Sequence, residues 1–563
     1  MSSIRRGSGA ALPSLMLFAL VPAVVGAVGV HQGCSSADTE EAADPEAEVA
    51  YTTDGLCDNL PKVDLETPPG VCVGIVAKGF VFPRGLAELP GGDVMVADMG
   101  GWATNKGSVW RIKKEGGAYT RTQVLSLIDK PSGIQVNPKD KLVYVGTPKD
   151  IFRFDPDQAP RPRLTLVVKG LPPDGRHPLK QFVFDGRDPD VMYVNAGSAT
   201  DVCEKDRLFR SPCYEEALDR SGIRRYAMTG ADRLAPTYTM LARGLRNSMA
   251  LAVHPVSNVL LQGENSRDSI NKYAPELTDV EGDLPHEELN VIDPDGHYGF
   301  PYCYDNGVAS PEYRTADCSR FRNPALLLPG HAAPLGMKYY TGPLFPADYK
   351  GQLVLAYHGY RANGHRLVMV PVDVRGVPSG EPLDIVRGWD KTARHPLGAP
   401  VDVMVAKDGS IWMTEDKNGT VLRVFFDRLR GNGKPMAPRA VVRPAASPEE
   451  AARCAALARK TALFSIVQRD VIDASCVSCH GAGPGYPGSL ALLRCDDVGN
   501  AKRLLARRRG NAPPLVVPGN DASELVLRLK GQGYPQMPAG GISPEGEGEV
   551  LAWIRGGAPL PPP

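Results

Sequence analysis

The chain has no excess of charge of either sign: 64 basic residues stand against 64 acidic ones in 563 positions. That balance excludes a globally basic nucleic-acid binder and an acidic tail protein. A convincing long helical pattern is missing between residues 57 and 428. Histidine is absent after His480. What is plentiful is turn chemistry. The 60 glycines and 52 prolines make up about a fifth of the chain, against a usual share of roughly 12%. The 11 cysteines are an odd number and need an explanation.

The N-terminus speaks to compartment. Arg5 and Arg6 precede an apolar run from about Ala10 to Val30, which ends at His31-Gln32-Gly33-Cys34. A positive head, an apolar body and a small residue before the cut form the order of a secretory signal. Cys34, followed by Ser35-Ser36 and the acidic stretch Asp38 to Glu48, resembles a bacterial lipoprotein signal, with His31 where Leu is usual. On that reading residues 1–34 are the signal, Cys34 carries a membrane-anchoring lipid, and 35–56 form a disordered tether. An uncleaved anchor and ordinary secretion are the alternatives. All three export the folded part to a compartment where disulfides persist.

Residues 57–428 read as six copies of one β unit. The last is the clearest: Val401 to Val405, the turn Asp408-Gly409, Ser410 to Glu415, the turn Asn418-Gly419, and Thr420 to Val424. The other copies run Gly85 to Ile112, Gly133 to Phe154, Gln181 to Tyr226, Met249 to Ile292 and Pro334 to Val370. Alternating strands between Gly, Asp, Asn and Pro turns predict an all-β six-bladed β-propeller. A pair of β-sandwiches is the competing architecture.

A linker, 429–450, leads to a small domain at 451–560, predicted all-α. A helical stretch is expected at about 449–470 and a closing helix at Glu547 to Arg555. Between them Cys476-Val477-Ser478-Cys479-His480 spells C-x-x-C-H, which in an exported chain reads as covalent haem attachment. A redox C-x-x-C and half a zinc site are the other readings; zinc needs more ligands, and only Cys495 follows. Met537, between Pro535 and Pro538, resembles the sixth-ligand loop of class I cytochromes c. The resemblance implies haem c on Cys476 and Cys479, with His480 and Met537 as axial ligands.

The propeller residues resemble the quinoprotein glucose and sorbosone dehydrogenases, which carry pyrroloquinoline quinone (PQQ). The resemblance runs through Gly244-Leu245-Arg246-Asn247, Glu288-Leu289-Asn290, Gly296-His297-Tyr298-Gly299-Phe300-Pro301, Gly197-Ser198 with Val202-Cys203, and His358-Gly359-Tyr360-Arg361. It implies His177 as general base, Arg246 and Asn247 on the quinone oxygens, and Arg361 on a PQQ carboxylate. It also implies Ca²⁺ at the loop Glu264 to Asp268. The sequence departs from that family at Arg176, where an Asp is usual. Its blade-six arginine pair is replaced by Ala399 and Val401, with Arg394 and His395 nearby.

The expected protein is an exported quinohaemoprotein. It oxidises a sugar or aldehyde and passes electrons through haem to an external acceptor such as a soluble cytochrome. Two other readings stand beside it: a cofactor-less propeller used for docking, and a Ca²⁺-dependent lyase or lactonase. Each residue also has a structural alternative, a strand-end turn for Arg246-Asn247 and a backbone-bonded loop position for His177. The acidic loop Glu281 to Glu288 reads as solvated. The odd cysteine count resolves once Cys34, Cys476 and Cys479 are withdrawn. The remaining eight allow 105 pairings; nearest neighbours give Cys57–Cys72, Cys203–Cys213, Cys303–Cys318 and Cys454–Cys495.

Overall fold

A computed structural model describes residues 51, 53–158, 162–205, 208–277, 282–359, 363–389, 398–438, 448–476, 492–506, 513–530, 532, 542 and 544–562. Six sheets form the six blades of a β-propeller. Their innermost strands are Pro83–Glu88, Ile134–Val136, Phe182–Phe184, Ala250–Val253, Pro334–Tyr339 and Pro400–Val405. Each expected repeat falls within one blade. Apolar side chains on alternate positions pack between neighbouring blades. Leu86, Val94 and Val96 of the first blade meet Met404 and Trp412 of the sixth, and Val183 and Ile223 of the third meet Leu251 and Leu260 of the fourth. The core is therefore a ring of wedges. A further apolar cluster, Phe82, Met99, Leu179, Met249, Leu335 and Val401, draws on five blades.

The ring is closed by a strand from the other end of the chain. Val71–Ala77 pairs antiparallel with Thr420–Phe426, Val73 opposite Val424 and Ile75 opposite Leu422. The sixth blade thus takes its outer strand from the N-terminal side, and the closed ring leaves no long edge to recruit another chain. Thr53–Cys57 and Leu60–Val63 extend this sheet. Strand begins at Thr53, so the end of the segment expected to be a tether belongs to the blade. The expected linker is shortened too: Met436 bridges Asp384 of the fifth blade, and helix starts at Pro448.

The C-terminal part has its own helical core. Phe464, Val467, Val471, Ile472, Val550 and Trp553 pack together, and the Phe464 and Trp553 rings lie 4.4 Å apart. The single expected helix is broken into Pro448–Leu457, Leu463–Val467 and the wider-wound Gln468–Cys476. The closing helix spans Pro544–Arg555. The short turns Ile270–Lys272 and Pro275–Leu277 of the propeller touch Gln468–Cys476 and Pro448–Leu457. All four nearest-neighbour disulfides are formed. No helix among the described residues is long and apolar enough to cross a membrane.

Candidate functional site

His177 lies in the loop before strand Phe182–Phe184. Its Nδ1 sits 2.9 Å from both the carbonyl oxygen and the Oγ of Ser198. Ser198 Oγ gives its own proton to the Thr200 carbonyl at 2.7 Å. Both atoms facing Nδ1 therefore accept, so Nδ1 carries the hydrogen and Nε2 keeps its lone pair. Burial, reinforced by the Arg246 and Arg176 guanidiniums, holds the imidazole well below its usual 6.5. Gly197 makes the juxtaposition possible. A Cβ there would stand 2.6 Å from His177 Cβ and 3.4 Å from Asn247 Oδ1.

Arg246 and Asn247 occupy the turn before strand Ala250–Val253. Gly244 opens the turn at φ +68°, a left-handed conformation, and a side chain there would strike the His297 ring. The backbone N–H groups of Arg246 and Asn247 both donate to Glu264 Oε1, at 2.5 and 3.2 Å. Asn247 Nδ2 donates to Asn265 Oδ1 at 3.4 Å, and Asn265 Nδ2 is in turn fixed by the Pro334 carbonyl at 2.7 Å. That chain orients the Asn247 amide and leaves its buried Oδ1 without a partner.

The Arg246 side chain is buried and all five of its N–H donors have acceptors. Nε reaches the Asp201 carbonyl at 3.2 Å, and Nη1 reaches the Asn265 and Ser266 carbonyls at 2.9 Å each. Nη2 donates to Asp201 Oδ1 and, at 3.5 Å, to Asp268 Oδ2. Burial opposes ionisation of Asp201, but Arg246, Arg176 and Arg267 together hold it well below the carboxylate range. At the rim, Arg176 Nη2 and His331 Nδ1 approach the half-exposed Asp268 at 3.7 and 3.9 Å.

The apolar cluster around Phe82 and Met249 forms the floor, with Trp102 packed against it. A narrow axial cavity lined by Gln135, Gln181, Lys338 and Asp402 also includes Met249 and Leu335 of that floor. Arg84 and Lys417 lie 5.8 and 5.7 Å from the Phe82 ring centroid. Arg84 Nη1 and His358 Nε2 both bond Asp416 Oδ2 at 2.9 Å. Ala399 and Val401 are buried.

The structure brings His177, Arg246 and Asn247 together. It gives Arg246 no free donor for a quinone oxygen, which differs from the expected role, while Asn247 presents its bare Oδ1. The expected calcium loop does not fit a metal either. The Asn265 and Ser266 carbonyls accept Arg246, and Glu264 accepts two backbone amides. No cluster of three or more His, Cys, Asp or Glu among the described residues has metal-holding geometry. Sequence reasoning missed Asp201 and Glu287, and it did not foresee that Glu264 and Glu288, named there for a calcium loop and a family motif, are buried carboxyls. Glu287 and Glu288 open strand Glu287–Val291 and are buried, contrary to the solvated loop expected there. The signal available was their place at the start of that strand, with Glu264 ending another. Cys476 is half-buried against the helical core, takes part in none of the four disulfides, and its Sγ donates to the Val471 carbonyl at 3.6 Å. Arg361, Cys479, His480, Met537, Cys34, Arg394 and His395 lie outside the described residues.

A family model described as TrAA12-like matches residues 65–425. Among curated proteins, a pyrroloquinoline quinone-dependent pyranose dehydrogenase of Coprinopsis cinerea is 24% identical over 349 residues, covering 55% of this chain and 45% of its own. An uncharacterised Borreliella burgdorferi protein is 28% identical over 197 residues, covering 34% of this chain and 49% of its own. The chain spans about half the length of these curated relatives. Among solved structures, the calcium structure of a Trichoderma reesei protein of Carbohydrate-Active Enzymes family AA12 superposes with a TM-score of 0.55 at 20% identity. It covers 68% of this chain and 98% of its own. The holo PQQ domain of Coprinopsis cinerea pyranose dehydrogenase gives 0.53 at 17% identity, covering 65% and 98%. These likenesses establish the fold.

Proposed function

Because the chain belongs to the TrAA12-like family, we propose that it is an exported oxidoreductase that oxidises a sugar or a related aldehyde or alcohol with PQQ. The observation that carries the reading is the pairing of a bare His177 Nε2 with the partnerless Asn247 Oδ1 over an apolar floor. The residues fit a flat, anionic, polar-edged group. The Phe82, Met249 and Leu335 side chains offer a face for the ring, and Trp102 stands beside them. Arg176, Arg84 and Lys417 supply positive charge around it. Asn247 Oδ1 receives an N–H or O–H.

When bound, PQQ supplies a two-electron acceptor. The chain's own part is acid–base and electrostatic. His177 Nε2 takes the proton of the reacting hydroxyl, a contribution of roughly 10²–10⁴-fold in rate. Its Nδ1–H stays on Ser198, which fixes the ring and steadies the imidazolium that forms. Arg246 acts through its charge rather than through a hydrogen bond, stabilising negative charge that develops beside it. No step is assigned to calcium.

The second half of the reading is the helical domain. The C-x-x-C-H run at Cys476 to His480, whose first cysteine lies outside the four disulfides, fits thioether attachment of haem on Cys476 and Cys479, with His480 and Met537 as axial ligands. Haem supplies a one-electron carrier. A soluble cytochrome or similar acceptor outside the chain completes the transfer, and a lipid on Cys34 holds the protein at a membrane.

The test is reconstitution of the purified chain with PQQ, with sugars and aldehydes supplied and the haem bands followed. Reduction that requires both PQQ and substrate is expected. Absence of PQQ binding together with absence of reduction overturns the reading and favours a cofactor-less docking propeller.

A further inference from the structure

We propose that the buried guanidinium of Arg246 is the resident cation of this site, occupying the oxygen set a calcium ion would need. This rests on the PQQ reading above. Ca²⁺ is held by six to eight oxygens, typically carboxylates and backbone carbonyls. The oxygens gathered here are of that kind: Oδ1 and the carbonyl of Asp201, the carbonyls of Asn265 and Ser266, and Oδ2 of Asp268. All five receive hydrogen bonds from one side chain, itself 3% exposed.

Charge leads to the same conclusion. Two carboxylates, Asp201 and Asp268, face two guanidiniums, Arg246 and Arg176. Arg267 stands beside them but is paired with the buried Glu312 at 2.6 Å. Asp201 and Asp268 are thus already matched by guanidiniums, so a divalent cation would enter next to the fixed positive charge of Arg246. Arginine suits the task because its planar fork meets several acceptors at once and stays charged at any working pH. The cost of burying it is met by complete hydrogen bonding.

The experiment measures PQQ binding to the purified full chain by tryptophan fluorescence, in EDTA and in calcium chloride. The expected Kd agrees within about twofold between the two. A tenfold or greater loss in EDTA that calcium restores overturns the proposal while leaving the PQQ reading intact. Absence of PQQ binding in both media overturns the PQQ reading instead, and calcium alone then decides. Calorimetric titration of calcium chloride into Arg246→Ala is expected to show one more site per chain than wild type, because the variant uncovers the carbonyls and both carboxylates. Equal stoichiometry overturns the proposal. Should Arg246→Ala fail to fold, the question rests on wild type: a calcium site lost in Asp201→Asn overturns it, and unchanged binding supports it.

Discussion

At the scale of single residues, the proposed chemistry rests on which nitrogen of His177 is bare. Two acceptors on Nδ1 settle that, and burial, reinforced by the neighbouring guanidiniums, keeps the ring neutral. A general base works in its deprotonated form, so a depressed pKa extends activity toward acid. The acidic limb of kcat/KM is expected below the usual histidine value of about 6.5. Arg176→Gln removes one of the two cations and should move that limb upward; an unmoved limb would assign it to another group. His177→Ala should lower turnover by about 10²–10⁴-fold, measured with a soluble dye as acceptor. His177 and the Arg246-Asn247 pair were visible in the sequence because their motifs are local. The carboxylate that occupies Arg246 was not. Asp201 lies 45 residues away, and only blade packing brings it to the guanidinium.

At the scale of elements, period-two alternation and turn residues identified the strands, and six repeats gave six blades. What escaped was pairing over long sequence distance. Val71–Ala77 joins the sixth blade because its partner is Thr420–Phe426, and no local pattern announces that. Buried charge escaped for a related reason. Glu264 and Glu288 stand directly opposite across neighbouring strands of the fourth blade, yet in sequence Glu264 looks like the polar start of a loop and Glu288 like the end of one. Burial pushes Glu264 up to about 7 and Glu287 up to about 8. A carboxyl raised in the folded state contributes its full stability below the unfolded value of about 4.5 and loses it as pH rises through the folded one. For Glu264 the loss is on the order of 3 kcal/mol. Glu264→Gln keeps an oxygen for the Arg246 and Asn247 amides and cannot ionise. Its melting temperature should therefore fall less than that of wild type between pH 5 and pH 8. The Glu287 share of the decline remains in both. An identical decline in the two proteins would show that Glu264 holds no extra proton.

At the scale of the whole molecule, two cores lie in one chain. The propeller packs as a closed ring of wedges, while Phe464, Val471 and Trp553 belong to a separate helical core. The helical periodicity expected near the C-terminus is met by that core, and the four formed disulfides do not include Cys476. If that thiol carries haem, removing it should act on one core alone. Cys476→Ser replaces sulfur with a group that forms no thioether, so the pyridine haemochrome spectrum should lose its two-thioether signature or vanish. PQQ binding and substrate-driven reduction of a dye should persist, because the residues lining the propeller site pack with its blades. Substrate-driven reduction of an added cytochrome should drop sharply, since electrons arriving in pairs then lack a one-electron outlet within the chain. An unaltered haem spectrum would remove Cys476 as an attachment point. Loss of dye reduction alongside the haem would instead mean that the contacts of Ile270–Lys272 and Pro275–Leu277 with the helical unit hold the propeller site in shape.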